Sequence, residues 1–182
     1  GWKATNEAPW RRRLKQVPLD FPEELLTYDI SMAGTPDGRL VVRTDSEVHI
    51  LDRSMRVLQT LAGEYAGAGS DRADLTASDD SIFWCPGASS LCRSTYDGTT
   101  VAEYWLEGFE FAFPVLAPGG LLFGVIYMED EDGDQDEIIA LDAQTLQLRH
   151  RFGRGLLIDA EHLAVGGDEL YACDTGNHRL QV

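Results

Sequence analysis

The chain has 182 residues, 43% of them hydrophobic, which is enough apolar side chain to bury the core of one sizeable domain and excludes a disordered polypeptide. Thirty-one acidic residues against fifteen basic ones give a formal net charge of −16, and that excess repels phosphate backbones and argues against nucleic acid as a partner. Three cysteines, Cys85, Cys92 and Cys173, make no even disulfide framework; Cys85 and Cys92 stand where a hairpin would bring them together, but buried free thiols in a reduced, cytoplasmic setting fit better.

In chain order, residues 1–28 read as an extension that contains one strand, Trp10 to Leu19. Its basic cluster Arg11, Arg12, Arg13 and Lys15 suits a strand that guards a sheet edge. From residue 29 a unit begins to repeat. An inner turn, Pro36-Asp37-Gly38, feeds the apolar run Leu40-Val41-Val42, and a second run, Val48 to Leu51, ends in Asp52 before Val57-Leu58. The same order returns with Asp79-Asp80 before Ile82 to Cys85, then Asp97 before Val101-Ala102; it returns again with Pro118-Gly119-Gly120 before Leu121 to Phe123, then Asp142 before Leu146 to Leu148. Asp52, Asp97 and Asp142 lie 45 residues apart, in the range of roughly 40–45 residues typical of a four-stranded propeller blade. Gly and Asp recur because tight hairpin turns need positive φ at one or both central residues. Blades are therefore expected at about 29–61, 75–106, 111–152 and 157–182. The run from Ala62 to Ser70 is a small-residue connector too short to mark a domain boundary.

Phe111 to Met128 carries no charge over eighteen positions, a length at which a membrane helix has to be considered. Pro114, Pro118 and Gly119-Gly120 break any helix there, so two buried strands and a turn are expected instead. The acidic run that follows, residues 130–137, places carboxylates at Asp130, Asp132 and Asp134, which could converge on calcium. Gln135 occupies the position where an EF-type loop needs Gly, however, and Leu141 the position of the bidentate Glu. A solvated Asp-Gly hairpin is expected, with calcium as the weaker alternative and no other cofactor.

The last stretch, His162 to Val182, reads strand, Gly-Gly-Asp turn, strand, polar turn, strand. Its end, Asp174-Thr175-Gly176-Asn177-His178-Arg179-Leu180-Gln181-Val182, resembles the NHL repeat with its D-x-x-N-H-R-h-x-h signature. The resemblance covers about one blade and implies an all-β fold, a β-propeller of about four antiparallel blades. The fourth blade lacks its outermost strand, and two readings stand: a fragment of a larger, six-bladed ring, or a small ring closed by the N-terminal strand pairing with Leu180 to Val182. By the family pattern Asp174 accepts backbone N–H groups in its turn, Arg179 packs or pairs between blades, and His178 is structural.

The family resemblance implies a scaffold for protein–protein contact, with a protein partner. The alternative is a metal-dependent propeller hydrolase or lyase, because Asp29, Asp159, Glu161 and His162 fall near predicted inner-strand starts. Amidating lyases of this fold hold zinc with one His from each of three blades. Here only His162 stands at such a place, since Tyr28-Asp29-Ile30, Leu75-Thr76 and Phe113-Pro114 hold the equivalent positions. His49 and His150 have no partner in the sequence pattern. With no phosphate loop, nucleophile elbow or Cys/His spacing either, the sequence designates no catalytic, cofactor-binding or metal residue.

Overall fold

The computed structural model describes residues 30–44, 47–62, 74–87, 89–107, 109–130 and 133–182. The N-terminal strand expected over Trp10 to Leu19, ring closure through it, Asp29 and most of the connector after Ala62 lie outside the described residues, as do the side chains of Asp130, Asp132 and Asp134.

Four antiparallel sheets succeed one another along the chain as the blades of a β-propeller. The first holds β1 (Ser31–Gly34), β2 (Leu40–Arg43), β3 (Glu47–Leu51) and β4 (Val57–Ala62). The second holds β5 (Leu75–Ala77), β6 (Ser81–Gly87), β7 (Ser90–Thr95) and β8 (Thr100–Trp105). The third holds β9 (Glu110–Ala117), β10 (Leu121–Asp130), β11 (Gly133–Asp142) and β12 (Leu148–Leu157). The fourth holds β13 (Ala160–Gly166), β14 (Glu169–Asp174) and β15 (Arg179–Gln181). Every hydrogen-bonded neighbour is the next strand in sequence, so each blade is a meander. The uncharged stretch from Phe111 to Met128 forms most of β9 and β10, joined by a turn. Among the described residues no helix is long and apolar enough to cross a membrane.

Middle strands are apolar on both faces because a neighbouring blade covers each face, and this removes the alternation seen in a one-sided sheet. Val41, Val48 and Ile50 of the first blade meet Leu75 and Ile82 of the second. Phe83, Leu91 and Leu106 of the second meet Phe111, Leu122, Ile126, Ile139 and Leu141 of the third. Val125, Ile138 and Leu157 of the third meet Ala160 and Ala172 of the fourth. The outer strands of the first two blades return to alternation, with Val101 and Trp105 of β8 exposed, whereas β12 is exposed along most of its length. Near the axis β1 packs on β5, β5 on β9 and β9 on β13.

The recurring aspartates have a local cause. Asp52 and Asp142 open the turn between the third and fourth strands of their blades, whereas Thr95 opens the corresponding turn of the second blade and Asp97 sits inside it; all three aspartates accept backbone N–H groups of their turns. Asp52 Oδ1 takes Ser54 N at 2.8 Å and Arg56 N at 3.1 Å; Asp97 Oδ1 takes Thr99 N at 3.1 Å; Asp142 Oδ1 takes Gln144 N and Thr145 N at 3.0 Å each. At the inner turn, Gly38 adopts φ +86° and closes on Thr35 O at 2.9 Å, a conformation that favours glycine.

The D-x-x-N-x-R segment of the fourth blade does a different job. Asp174 is fully buried and accepts Ile158 N at 2.9 Å, Asn177 Nδ2 at 2.9 Å and Arg179 Nε at 2.7 Å. Arg179 Nη2 also donates to Leu156 O at 2.7 Å. Its backbone donor is therefore Ile158, on the link from β12 to β13, rather than a residue of its own turn as the family pattern implied. Arg179 bridges the third and fourth blades as that pattern implied. Gly176 is required because a Cβ there would stand 2.9 Å from Ile158 O.

Candidate functional site

Strand alternation divides the molecule into two ends. One carries the hairpin turns that follow first and third strands. The other carries the links between blades and the starts of the inner strands, where the central channel opens.

The channel mouth is a polar pocket of about 140 Å³ lined by Ser31 of β1, Asp74 and Leu75 at the start of β5, Phe113 and Pro114 of β9, and His162 of β13. Phe113 and His162 occupy corresponding places in consecutive blades. Each sits at a register shift of its inner strand and has left-handed backbone, φ +54° and +52°. Such a conformation is rare outside glycine and costs on the order of 1–3 kcal/mol, which the surrounding structure has to offset. Part of the offset is visible: Phe113 N donates to Asp74 Oδ2 at 2.8 Å. The bulges bring the two rings together, with centroids 4.8 Å apart and planes inclined at 52°. Ser31 Oγ is buried and has no hydrogen-bond partner among the described residues.

Of the described positions that the sequence offered for a metal centre, Asp159, Glu161 and His162, the structure brings only His162 to this pocket. Asp159 is exposed at φ +48° and its carbonyl accepts Thr175 N at 3.3 Å, while Glu161 pairs across the sheet with Cys173. Among the described residues no three His, Cys, Asp or Glu side chains come close enough to share a metal ion. In the acidic run, the described carboxylates are engaged in the fold. Asp136 accepts Ala160 N across the blade interface, and Glu137 pairs with Arg151 at 2.9 Å. His49 is buried beside Thr60, with Nδ1 3.0 Å from Oγ1, and Nε2 lies 3.4 Å from Glu47. Burial pushes its imidazole below the ordinary value, with the Glu47 charge opposing.

Cys85 and Cys92 are buried free thiols, and Cys173 is exposed and free. Burial raises the Cys85 thiol far above the ordinary range; burial and the nearby Glu103 carboxylate push Cys92 up to about 12. Both stay protonated at neutral pH and are poor nucleophiles.

The turn end is stitched across blades by arginines. Arg39 of the first blade lies 3.8 Å above the Tyr96 ring of the second and donates to Asp79 O at 3.4 Å. Tyr96 donates to Ser78 O at 2.6 Å. Arg93 reaches from the second blade to Gln144 O of the third at 2.9 Å and lies 3.6 Å from Asp80. Local hydroxyl, backbone and arginine partners hold Asp37, Asp52, Asp80, Asp97 and Asp142 below the usual carboxylate range, led by Thr35 for Asp37, Ser54 for Asp52, Ser78 for Asp80, Thr95 for Asp97 and Arg149 for Asp142. The result is an ordered, ionised acidic surface.

Sequence reasoning placed Phe113-Pro114 and Leu75-Thr76 at the positions equivalent to His162 but did not single out Ser31 or Asp74. The available signal was register: each falls where His162 falls in its own blade.

No protein-family profile matches the chain, and no curated protein matches it. Among solved structures, the chain is similar to BamB from Moraxella catarrhalis, with a TM-score of 0.56 and 16% identity over 82% of this chain and 47% of that one. It also aligns with glutaminyl cyclase from Myxococcus xanthus at a TM-score of 0.49 and 12% identity, over 78% of this chain and 66% of that one. The chain thus spans about half the length of BamB. At these identities the likeness concerns the propeller fold alone.

Proposed function

We propose that this chain is an NHL-type propeller module that binds a protein partner through its acidic turn end. The observation that carries this reading is the stitching of that end by Arg39, Tyr96 and Arg93 across three blades. A surface already held in one arrangement loses little conformational freedom on association, which is the main cost that a binding loop otherwise bears. Asp37 and Asp80 keep half or more of their side-chain surface exposed, so a basic partner surface is the complement. The D-x-x-N-H-R segment supports the NHL assignment, and the buried thiols suit a reduced, cytoplasmic setting.

The test is affinity capture from a lysate with the 182-residue chain, followed by titration of the captured protein in rising salt. Binding is expected to weaken steadily between low salt and about 0.3 M, where charge interactions are screened over a few ångströms, and to fall for D80N/D97N with the fold intact. Salt-independent binding unchanged by D80N/D97N would reject the acidic end as the interface. The alternative of a metal-dependent hydrolase or lyase rests on His162 at the channel mouth, and zinc titration by calorimetry tests it: stoichiometric binding lost in H162A would favour it.

A further inference from the structure

We infer that the segment from Trp10 to Leu19 docks as a strand across the first blade and caps the face turned away from the second. The inference does not rest on the partner-binding reading, which concerns the turn end.

Directly opposed residues of antiparallel strands share one face of the sheet. Met32, Val42, His49 and Thr60 form such a row across β1, β2, β3 and β4. Val42 is 1% and His49 3% exposed, yet Met32 at one end of the row is 64% exposed and Thr60 at the other is exposed as well. Leu51, clustered with Val42, has no exposed surface. Water is thus excluded from the two middle strands and reaches the two flanking ones. The opposite face has a visible cover, because Val41 and Ile50 meet Leu75 and Ile82 of the second blade. Over Val42 and Leu51 the described apolar neighbours are Leu40, Met55 and Val57, all of the same blade. What covers this strip therefore comes from outside the described residues. A whole blade would cover the row from end to end, so a cover confined to its middle is one narrow element.

The chain supplies a segment that fits. Residues 1–29 precede the first described residue and lead into β1, where Ser31 pairs with Arg43, the residue next to Val42. The segment thus arrives beside the strip. Ten extended residues reach about 33 Å, enough to cross the blade. Strand alternation over 10–19 puts Trp10, Leu14 and Pro18 on one side with Arg12 and Gln16, and Arg11, Arg13 and Lys15 on the other with Val17 and Leu19. The first side offers apolar contact to Val42 and Leu51, while the second keeps three cations in water, the polar outer face that a capping element needs. Residues 63–73 fit less well, since they hold mostly small side chains and join β4 to β5, whose Leu75 packs on the opposite face. A second copy would bury Met32 and Thr60 along with the rest, and would bring together two chains of −16 each.

Spin labelling of the full chain tests the docking. Cys173→Ser removes the exposed thiol, Cys85 and Cys92 are buried, and Lys15→Cys carries a nitroxide. In amide spectra of the isotope-labelled chain, broadening is expected to centre on Val42 and His49, to spare Leu180 and Gln181, and to vanish on reduction with ascorbate. Leu14→Asp sets a charge against the apolar strip and is expected to abolish that pattern, with the third-blade resonances of Ile139 and Leu141 unmoved as the sign that the fold is kept. Broadening centred on Leu180 and Gln181 would mean that the segment closes the ring instead of capping the first blade, and uniform broadening would mean that it has no fixed seat; either result overturns the inference. So does broadening of an isotope-labelled chain by a separate spin-labelled one, which would assign the cover to a second copy, or a pattern that L14D leaves unchanged in the folded chain.

Discussion

Asp174 shows how a single side chain can hold two blades together. With no exposed surface, it collects Ile158 N, Asn177 and Arg179. Burial alone would raise its carboxyl, but these hydrogen bonds prevail and hold it below the usual range. Replacement by Ala leaves Ile158 N without its acceptor and removes the partner of Arg179 Nε and Asn177 Nδ2, and we expect a loss of about 2–4 kcal/mol in a urea-unfolding experiment. His49 gives a prediction of the same pH sense in a higher window. Its folded value lies below the ordinary 6.5 because burial disfavours the charged ring, so the unfolded chain binds the proton more tightly. The contribution of His49 to stability is present above about pH 6.5 and is lost as pH falls through and below that value. H49Q should flatten the stability profile between pH 7 and 5; a profile of unchanged steepness would show that His49 is not responsible.

Within the third blade, β10 depends on a missing side chain. Gly124 lies opposite the bulge at Phe113, and a Cβ there would overlap the ring of Phe111, which is almost wholly buried between the second and third blades. Gly124→Ala is expected to cost about 1–3 kcal/mol through overpacking, measured by thermal unfolding, and a variant as stable as the parent would mean that the Phe111 ring can shift freely. Leu141, fully buried in the same cluster, should cost about 2–5 kcal/mol on replacement by Ala. Element order was legible in the sequence because Asp and Gly act locally: the turn at Asp142 is closed by bonds within residues 142–147. The channel mouth was not legible, since Ser31, Asp74, Phe113 and His162 stand about forty residues apart and only the packing of inner strands gathers them. Nor does any residue type announce a bulge at a phenylalanine or a histidine; positive φ there is a product of tertiary context.

Taken whole, the molecule sets a large negative charge against a set of arginine ties. At −16, self-repulsion weakens the compact state, whereas exposed pairs such as Arg56 with Asp52 contribute little. Adding salt from about 0.01 to 0.15 M should therefore raise the melting temperature, because the Debye length shrinks from roughly 30 to 8 Å and long-range repulsion is screened first; a fall would show that the arginine ties dominate. One further consequence concerns synthesis. The bonds from Arg179 and Asn177 to Leu156 O, and from Asp174 to Ile158 N, all point backward along the chain. As the polypeptide leaves the ribosome, the exit of the third blade stays unlatched until some twenty later residues have appeared. Assembly then has a direction, each new blade fastening the one before it, and a nascent chain halted just short of Asp174 should remain open to protease at residues 156–158 where one extended by a single turn is closed.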